Sequence, residues 1–264
     1  MAGTNRRQMQ SKASATGVVG NLPAIILIEP QLGENIGMVA RAMLNCGLTD
    51  LRLVRPRDGW PNPQAVKSAS GADIVLDNTK LFSNTSGAIG DLNLIYATTA
   101  RDRDMIKEIV TPEIAAREIR EIGSKRCGIL FGREAKGMKN EDIVLANKIV
   151  IAPLNPGFTS LNLSQAVFLL AYEWYKLADQ TPANELRMKG TRPATNEEML
   201  GLFEHLESEL DNHGFLRVRE KRPVMVQNIR NVFQRANMTE QEVRTFRGVI
   251  KSLSQYPAKK NGEE

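Results

Sequence analysis

The side chains best suited to chemistry fall in three polar, glycine-containing segments: GENIGMVAR at 33–41, FGREAKGM at 131–138 and APLNPGFTSLNLSQA at 152–166. They supply Asn35, Arg41, Glu134, Ser160, Asn162 and Ser164. Such amides, hydroxyls, a carboxylate and a guanidinium can hold and orient a polar ligand. They do not make a hydrolytic triad, because the two histidines, His205 and His213, lie far along the chain in a helical region, away from the strand ends where an α/β site forms. Cys46 and Cys127 sit in apolar contexts with no CxxC pattern, so both read as small buried hydrophobes and no metal site is expected. Nor are the glycines those of a common nucleotide loop. EPQLGENIGMVAR lacks the G-x-G-x-x-G that brings backbone against a pyrophosphate. Gly132 and Gly137 have Walker-like spacing, yet Met138-Lys139 follows where Lys-Ser/Thr is needed for phosphate and magnesium. Plain structural duties also fit these residues: Asn35 as a helix N-cap, Ser160 or Asn162 as the cap of a helix starting at 163, Arg41 in a surface ion pair.

Positioning these segments requires strands and helices in alternation. Short β-type runs occur at 24–29, 51–54, 74–76, 92–97, 128–131 and 149–151, with helical periodicity between them at 35–47 and 111–123 and again at 163–178. The pattern predicts an α/β domain with a mostly parallel sheet covered on both faces. The three polar segments then follow the first, fifth and sixth predicted strands, at the carboxyl ends where ligands bind in open sheets. Residues 179–195 are polar with two prolines and read as a linker. Beyond them the pattern is purely helical, with helices predicted at 197–212, 224–235 and 240–254. The resulting division is a flexible basic arm at 1–20, an α/β domain at 21–178, the linker, a helical domain at 196–255 and a disordered tail at 256–264.

A chain of 264 residues, 42% hydrophobic, can bury one sizeable core and still form a small accessory domain. Its longest apolar runs are of strand length, so no membrane span is expected. The basic arm has no apolar signal region, which leaves the cytoplasm as the default location. The net charge is +5, and residues 214–251 hold nine basic side chains against three acidic ones. That excess fits either a polyanionic partner or a solvated helical face.

Taken together and in order, N-x-G-x-x-x-R at 35–41, F-G-x-E-x-x-G at 131–137 and S-L-N-x-S at 160–164 resemble the three signature motifs of the SpoU branch of the SPOUT methyltransferases. The chain resembles more closely the bacterial tRNA cytidine/uridine-32 2'-O-methyltransferase (TrmJ) family, through Ala97-Thr98-Thr99-Ala100-Arg101, Asn155-Pro156, FEHLESELDNHGF at 203–215 and FRGVI at 246–250. The likeness runs from Leu22 to Leu253. It implies a SPOUT methyltransferase fold with a parallel sheet and a C-terminal trefoil knot, which periodicity cannot reveal, plus a small all-helical C-terminal domain. It implies S-adenosylmethionine as methyl donor, held by Thr98, Thr99, Ala100, Gly132, Ile151 or Ala152, Thr159, Ser160 and Leu161. It implies a homodimer in which Arg41 faces the partner's cofactor, and a catalytic set of Arg41, Asn35, Glu134, Ser160 and Asn162. A guanidinium makes a poor general base, so Arg41 is expected to orient the ribose and stabilise the developing alkoxide. Phosphate contacts are expected from Arg6, Arg7, Arg101, Arg217, Arg219 and Arg222. A ribosomal-RNA methyltransferase and a catalytically silent RNA-binding relative are the competing readings.

Overall fold

The computed structural model describes residues 22–100, 105–185, 188 and 190–255. The expected arm with Arg6 and Arg7, the residue Arg101 and the expected tail at 256–264 lie outside the described residues. Seven strands form one sheet: β1 (Ala24–Ile28), β2 (Leu51–Val54), β3 (Lys80–Phe82), β4 (Leu94–Thr98), β5 (Glu108–Val110), β6 (Cys127–Phe131) and β7 (Lys148–Val150). Their order is β3-β2-β1-β6-β4-β7-β5, and every pairing is parallel.

The run AIILI forms a central strand because it is apolar on both faces, as a parallel sheet covered on two sides demands. Ile25 and Leu27 enter one core, with Ile36, Val39 and Met43 of α1 (Gly33–Asn45), Ala115 and Ile119 of α5 (Pro112–Glu121), and Val167, Leu170 and Trp174 of α7 (Leu163–Lys176). Ala24, Ile26 and Ile28 enter the other, with Ala88 of α4 (Thr85–Ile89) and Ile143 of α6 (Asn140–Ile143). Both cysteines are buried, and burial pushes each thiol up to about 11.

Residues 74–76, expected as a strand, belong instead to the helix α3 (Asp73–Asp77), which follows α2 (Pro63–Ala69). Only Val75 and Leu76 of α3 are buried, so a short apolar run here is one side of a helical turn. The strand itself comes later, as β3. It was hidden because an edge strand pairs on one side only and leaves Lys80 and Leu81 exposed. At the opposite edge β5, also unanticipated, exposes Glu108 and Ile109. Charged residues on both edges discourage pairing with other chains.

Two contacts lock the half of the sheet nearest β1. The first is between α1 and α2: a Cβ on Gly37 would lie 2.1 Å from the Ala65 carbonyl oxygen and 2.1 Å from Ser68 Oγ. The second is a charge set into β2. Arg52 is only 1% exposed and donates to the Ala88 carbonyl at 2.6 Å, to Asp91 Oδ2 at 3.0 Å and to Asp50 Oδ2 at 2.9 Å. The Arg52 hydrogen bond holds the Asp91 carboxyl down at about 2.

The chain divides into two compact units at Thr181 and Pro182. The second contains α8 (Asn196–Asn212), α9 (Arg222–Arg235) and α10 (Glu240–Gln255). Thr195 and Glu198 start α8 with a reciprocal capping box, and Met199, Leu202, Phe203, Met238 and Val243 form a small core. The expected linker is not free along its whole length: Ala194 N–H donates to the Met238 carbonyl at 2.9 Å, and Pro193 bridges Thr239. Among the described residues no helix is long and apolar enough to cross a membrane.

Gly37→Ala should cost about 1–3 kcal/mol of unfolding free energy through overpacking against backbone, measured in urea; an unchanged midpoint would refute the contact. Asp91 is depressed in the fold, so its stabilisation is complete above pH 4 and is lost as pH falls toward about 2. The stability gap between the native protein and Asp91→Asn should therefore be flat near neutrality and close across that acid window.

Candidate active site

β1, β6, β4 and β7 are neighbours in the sheet, so the segments leaving their carboxyl ends converge. The segment after β6 carries Glu134, whose carboxylate accepts the Gln31 N–H at 2.9 Å, the Leu32 N–H at 3.4 Å and Asn35 Nδ2 at 2.9 Å. Asn35, 4% exposed, accepts with its Oδ1 from Asn162 Nδ2 at 3.2 Å. Asn162 Oδ1 in turn accepts the Ser164 N–H at 2.9 Å and the Ser164 hydroxyl at 2.8 Å. One chain of hydrogen bonds thus ties together all three polar segments, although Asn35 and Asn162 are 127 residues apart.

The simpler roles weighed for these residues divide. Leu32, not Asn35, is the N-cap of α1, and Asn35 lies in the first turn with its side chain spanning Glu134 and Asn162. Asn162 does cap α7, in a reciprocal box with Gln165, and joins the network as well. Arg41 is exposed and has no hydrogen-bond or ion-pair partner among the described residues. The surface ion pair that could have explained it is absent from those residues.

Over the network opens a cavity of about 540 Å³. Thr98, Thr99, Ala100, Gly132, Ile151, Ala152, Thr159, Ser160 and Leu161 all line it, as does Glu134, while Phe131, Val150, Leu163 and Leu170 add apolar surface. Asn35 and Asn162 are not among its lining residues and brace the loops that are; Arg41 is not among them either. The loop after β6 is compact. A Cβ on Gly132 would fall 2.3 Å from the Met138 nitrogen, and Arg133 and Gly137 exchange backbone hydrogen bonds at 3.3 and 2.8 Å. Thr98 Oγ1 donates to the Leu130 carbonyl at 2.9 Å, the Thr99 N–H to Val150 at 3.2 Å and the Ile151 N–H to Val110 at 3.1 Å.

The three segments match a known pattern over most of the chain. Residues 23–172 match the SpoU rRNA Methylase family. The chain belongs to the SpoU methylase family. Residues 197–263 match the C-terminal domain of the tRNA methyltransferase TrmJ. The tRNA (cytidine/uridine-2'-O-)-methyltransferase TrmJ of Escherichia coli O6:K15:H31 is 34% identical over 88% of this chain and 94% of its own length. The crystal structure of TrmJ from Z. mobilis ZM4 is similar with a TM-score of 0.79 and 46% identity, over 89% of this chain and 100% of that one. A probable methyltransferase from Bordetella pertussis Tohama I superposes with a TM-score of 0.55 at 30% identity, over 63% of this chain and 99% of its own. The SPOUT fold follows, with its parallel sheet and separate helical C-terminal unit.

Sequence reasoning passed over Arg133 and Lys136, which also line the cavity; their one signal was adjacency to Glu134 and Gly137 in the second segment. In the C-terminal unit, Arg217 and Arg219 are exposed in the α8–α9 connection, without partners among the described residues. Arg222 instead binds Asp211 at 2.7 Å.

Glu134→Gln replaces an acceptor of three N–H groups by an amide that presents a donor to some of them. A hydrogen bond to a charged group contributes about 1.5–3 kcal/mol, so amide exchange at Gln31 and Leu32 should accelerate about ten-fold or more. Unaltered exchange would remove Glu134 from its organising role.

Proposed function

We propose that this chain transfers a methyl group from S-adenosylmethionine to the ribose 2'-oxygen of tRNA at nucleotide 32 of the anticodon loop, as a cytoplasmic homodimer. The observation that carries the reading is the Glu134–Asn35–Asn162 network under a cavity lined by the loops after the three adjacent strands β6, β4 and β7. The lining suits such a donor: backbone and hydroxyl groups at Thr98–Ala100 and Thr159–Leu161 can meet its polar ends, and Val150, Leu163 and Leu170 give an apolar bed for an adenine ring. Gly132, where no Cβ fits, keeps the β6 loop tight against its own return. When bound, S-adenosylmethionine supplies a methyl group already activated by the sulfonium.

The protein's own task is then alignment and charge. Positioning contributes roughly 7–11 kcal/mol in favourable cases, and the hydrogen-bonded loops provide a fixed seat for it. Arg41 lies outside its own chain's cavity and has no intrachain partner among the described residues, which supports its action in a second copy's site. There its fork orients the ribose or an adjoining phosphate and stabilises the alkoxide, with proton removal passing through it or through water. Dimerisation is further supported by an exposed apolar face on α7, where Phe168 and Tyr172 stack at 5.8 Å, and by exposed Met38 on α1. The trefoil knot belongs to the same proposal; it is supported by the family match over residues 23–172.

A tRNA rather than a ribosomal substrate is favoured by the C-terminal domain match and by the relatives' span over both units. Anticodon loops present unstacked bases and 2'-hydroxyls of the kind that RNA proteins read, and exposed Arg217 and Arg219 offer phosphate contacts, together with Arg6, Arg7, Arg101 and Arg222 from the sequence reading.

Incubation with radiolabelled S-adenosylmethionine and bulk bacterial tRNA should label the 2'-oxygen of nucleotide 32. Arg41→Ala should lower transfer by about 10²–10³-fold while leaving donor binding intact, and Arg41→Lys should recover little of it. Donor binding without tRNA labelling would redirect the reading to ribosomal RNA; loss of both would leave a silent RNA-binding relative.

A further inference from the structure

Beside the cavity, the residues that follow β1 and β2 share an uncommon backbone. Glu29 and Arg55 sit at φ 49 and 46, a left-handed region that side chains other than glycine adopt only when their surroundings hold them there. Their side chains meet: Arg55 Nη2 lies 2.8 Å from Glu29 Oε1, and Arg55 Nη1 donates to the Ser83 carbonyl at 3.0 Å. The other Glu29 oxygen takes Arg133 Nη1 at 3.1 Å, and Lys139 Nζ stands 3.8 Å from Oε1. Lys139 also reaches Glu141 at 3.2 Å. Three cations from three segments therefore gather on one carboxylate.

For stability one cation would suffice, since each additional like charge repels the others across the same few ångströms. The excess continues into the cavity, because Arg133 and Lys136 both line it and Lys136 has no carboxylate partner among the described residues. The guanidinium groups also keep unused donors: an arginine has five N–H groups, and among the described residues Arg55 uses them on Glu29 and Ser83 alone. Such a group, rigid and already paired on one side, is suited to accept a second anion on the other.

We propose that Arg55, Arg133 and Lys139, held by Glu29, form a binding site for a phosphodiester group of the RNA strand entering the cavity. Two forks and a point charge suit the tetrahedral oxygens of a phosphate. Glu29 acts as the internal counter-ion that keeps the cations converged before RNA arrives. The site rests on the tRNA reading above and adds to it a contact in the α/β unit, separate from the C-terminal arginines. A carboxylate, such as that of the methyl donor, has related chemistry, so donor binding must be measured alongside RNA binding.

The test uses the full-length protein and an unmodified tRNA transcript, with the dissociation constant measured across a salt series. Arg55→Gln and Lys139→Gln should each weaken binding about three- to ten-fold and reduce the salt slope by about one, with S-adenosylmethionine affinity unchanged. Arg117→Gln, which removes the same charge from an exposed pair with Glu113 on α5, should leave the slope as in the native protein. The proposal is overturned if the two variants keep the native slope, if Arg117→Gln lowers it equally, or if donor affinity falls in place of RNA affinity. Native protein that neither binds nor methylates tRNA would instead refute the function on which the site rests.

Discussion

Glu134 can satisfy three N–H groups at once only if the loop after β6 lies against the start of α1, and that requirement organises the rest of the site. Asn35 is suited to the middle of the chain because an amide donates on one side and accepts on the other. With its nitrogen committed to the carboxylate, its oxygen is left to receive Asn162. A carboxylate in its place, which only accepts, could not relay the order in both directions. The network is therefore directional as well as cohesive, and it fixes which edge of each amide faces which loop.

The sheet makes this arrangement affordable. β1 and β6 are adjacent and fully buried, with Ile25 opposite Ile129 and Leu27 opposite Phe131, so the two loops begin from strands that cannot slip relative to each other without exposing apolar side chains. Gly37 draws α1 onto α2 from outside, while Arg52 and its acidic partners hold the opposite end of β2. The loops can be polar and irregular because everything beneath them is rigid.

Much of this was legible in the sequence. AIILI and CGILF announced central strands because burial on both faces selects continuous apolar runs, LRLV did so despite the buried Arg52 at its second position, and α1, α7 and the C-terminal helices declared themselves by their helical pattern. β3 and β5 did not, since an edge strand obeys solvent on one side and KLF and EIV resemble loop. At the site, the residue types were readable but their pairing was not: nothing local to Asn35 or Asn162 says that they touch. The resemblance supplied which residues matter, and only the structure showed that Asn35 and Asn162 stand behind the cavity while Glu134 belongs both to the relay and to the cavity wall. Arg133 escaped notice because its ion pair with Glu29 links residues more than a hundred positions apart.

α7 begins at Asn162, inside the relay, and two turns later exposes the stacked Phe168 and Tyr172. A helix of this length moves as a rod, so its first turn cannot be fixed independently of its outer face. A partner that gripped that face in one position of the helix and not in another would bias the loop at the other end, and by linkage the filling of the cavity would then return the same free energy to the grip. Occupancy and association would thus be two readings of one equilibrium, coupled mechanically through a single helix cap.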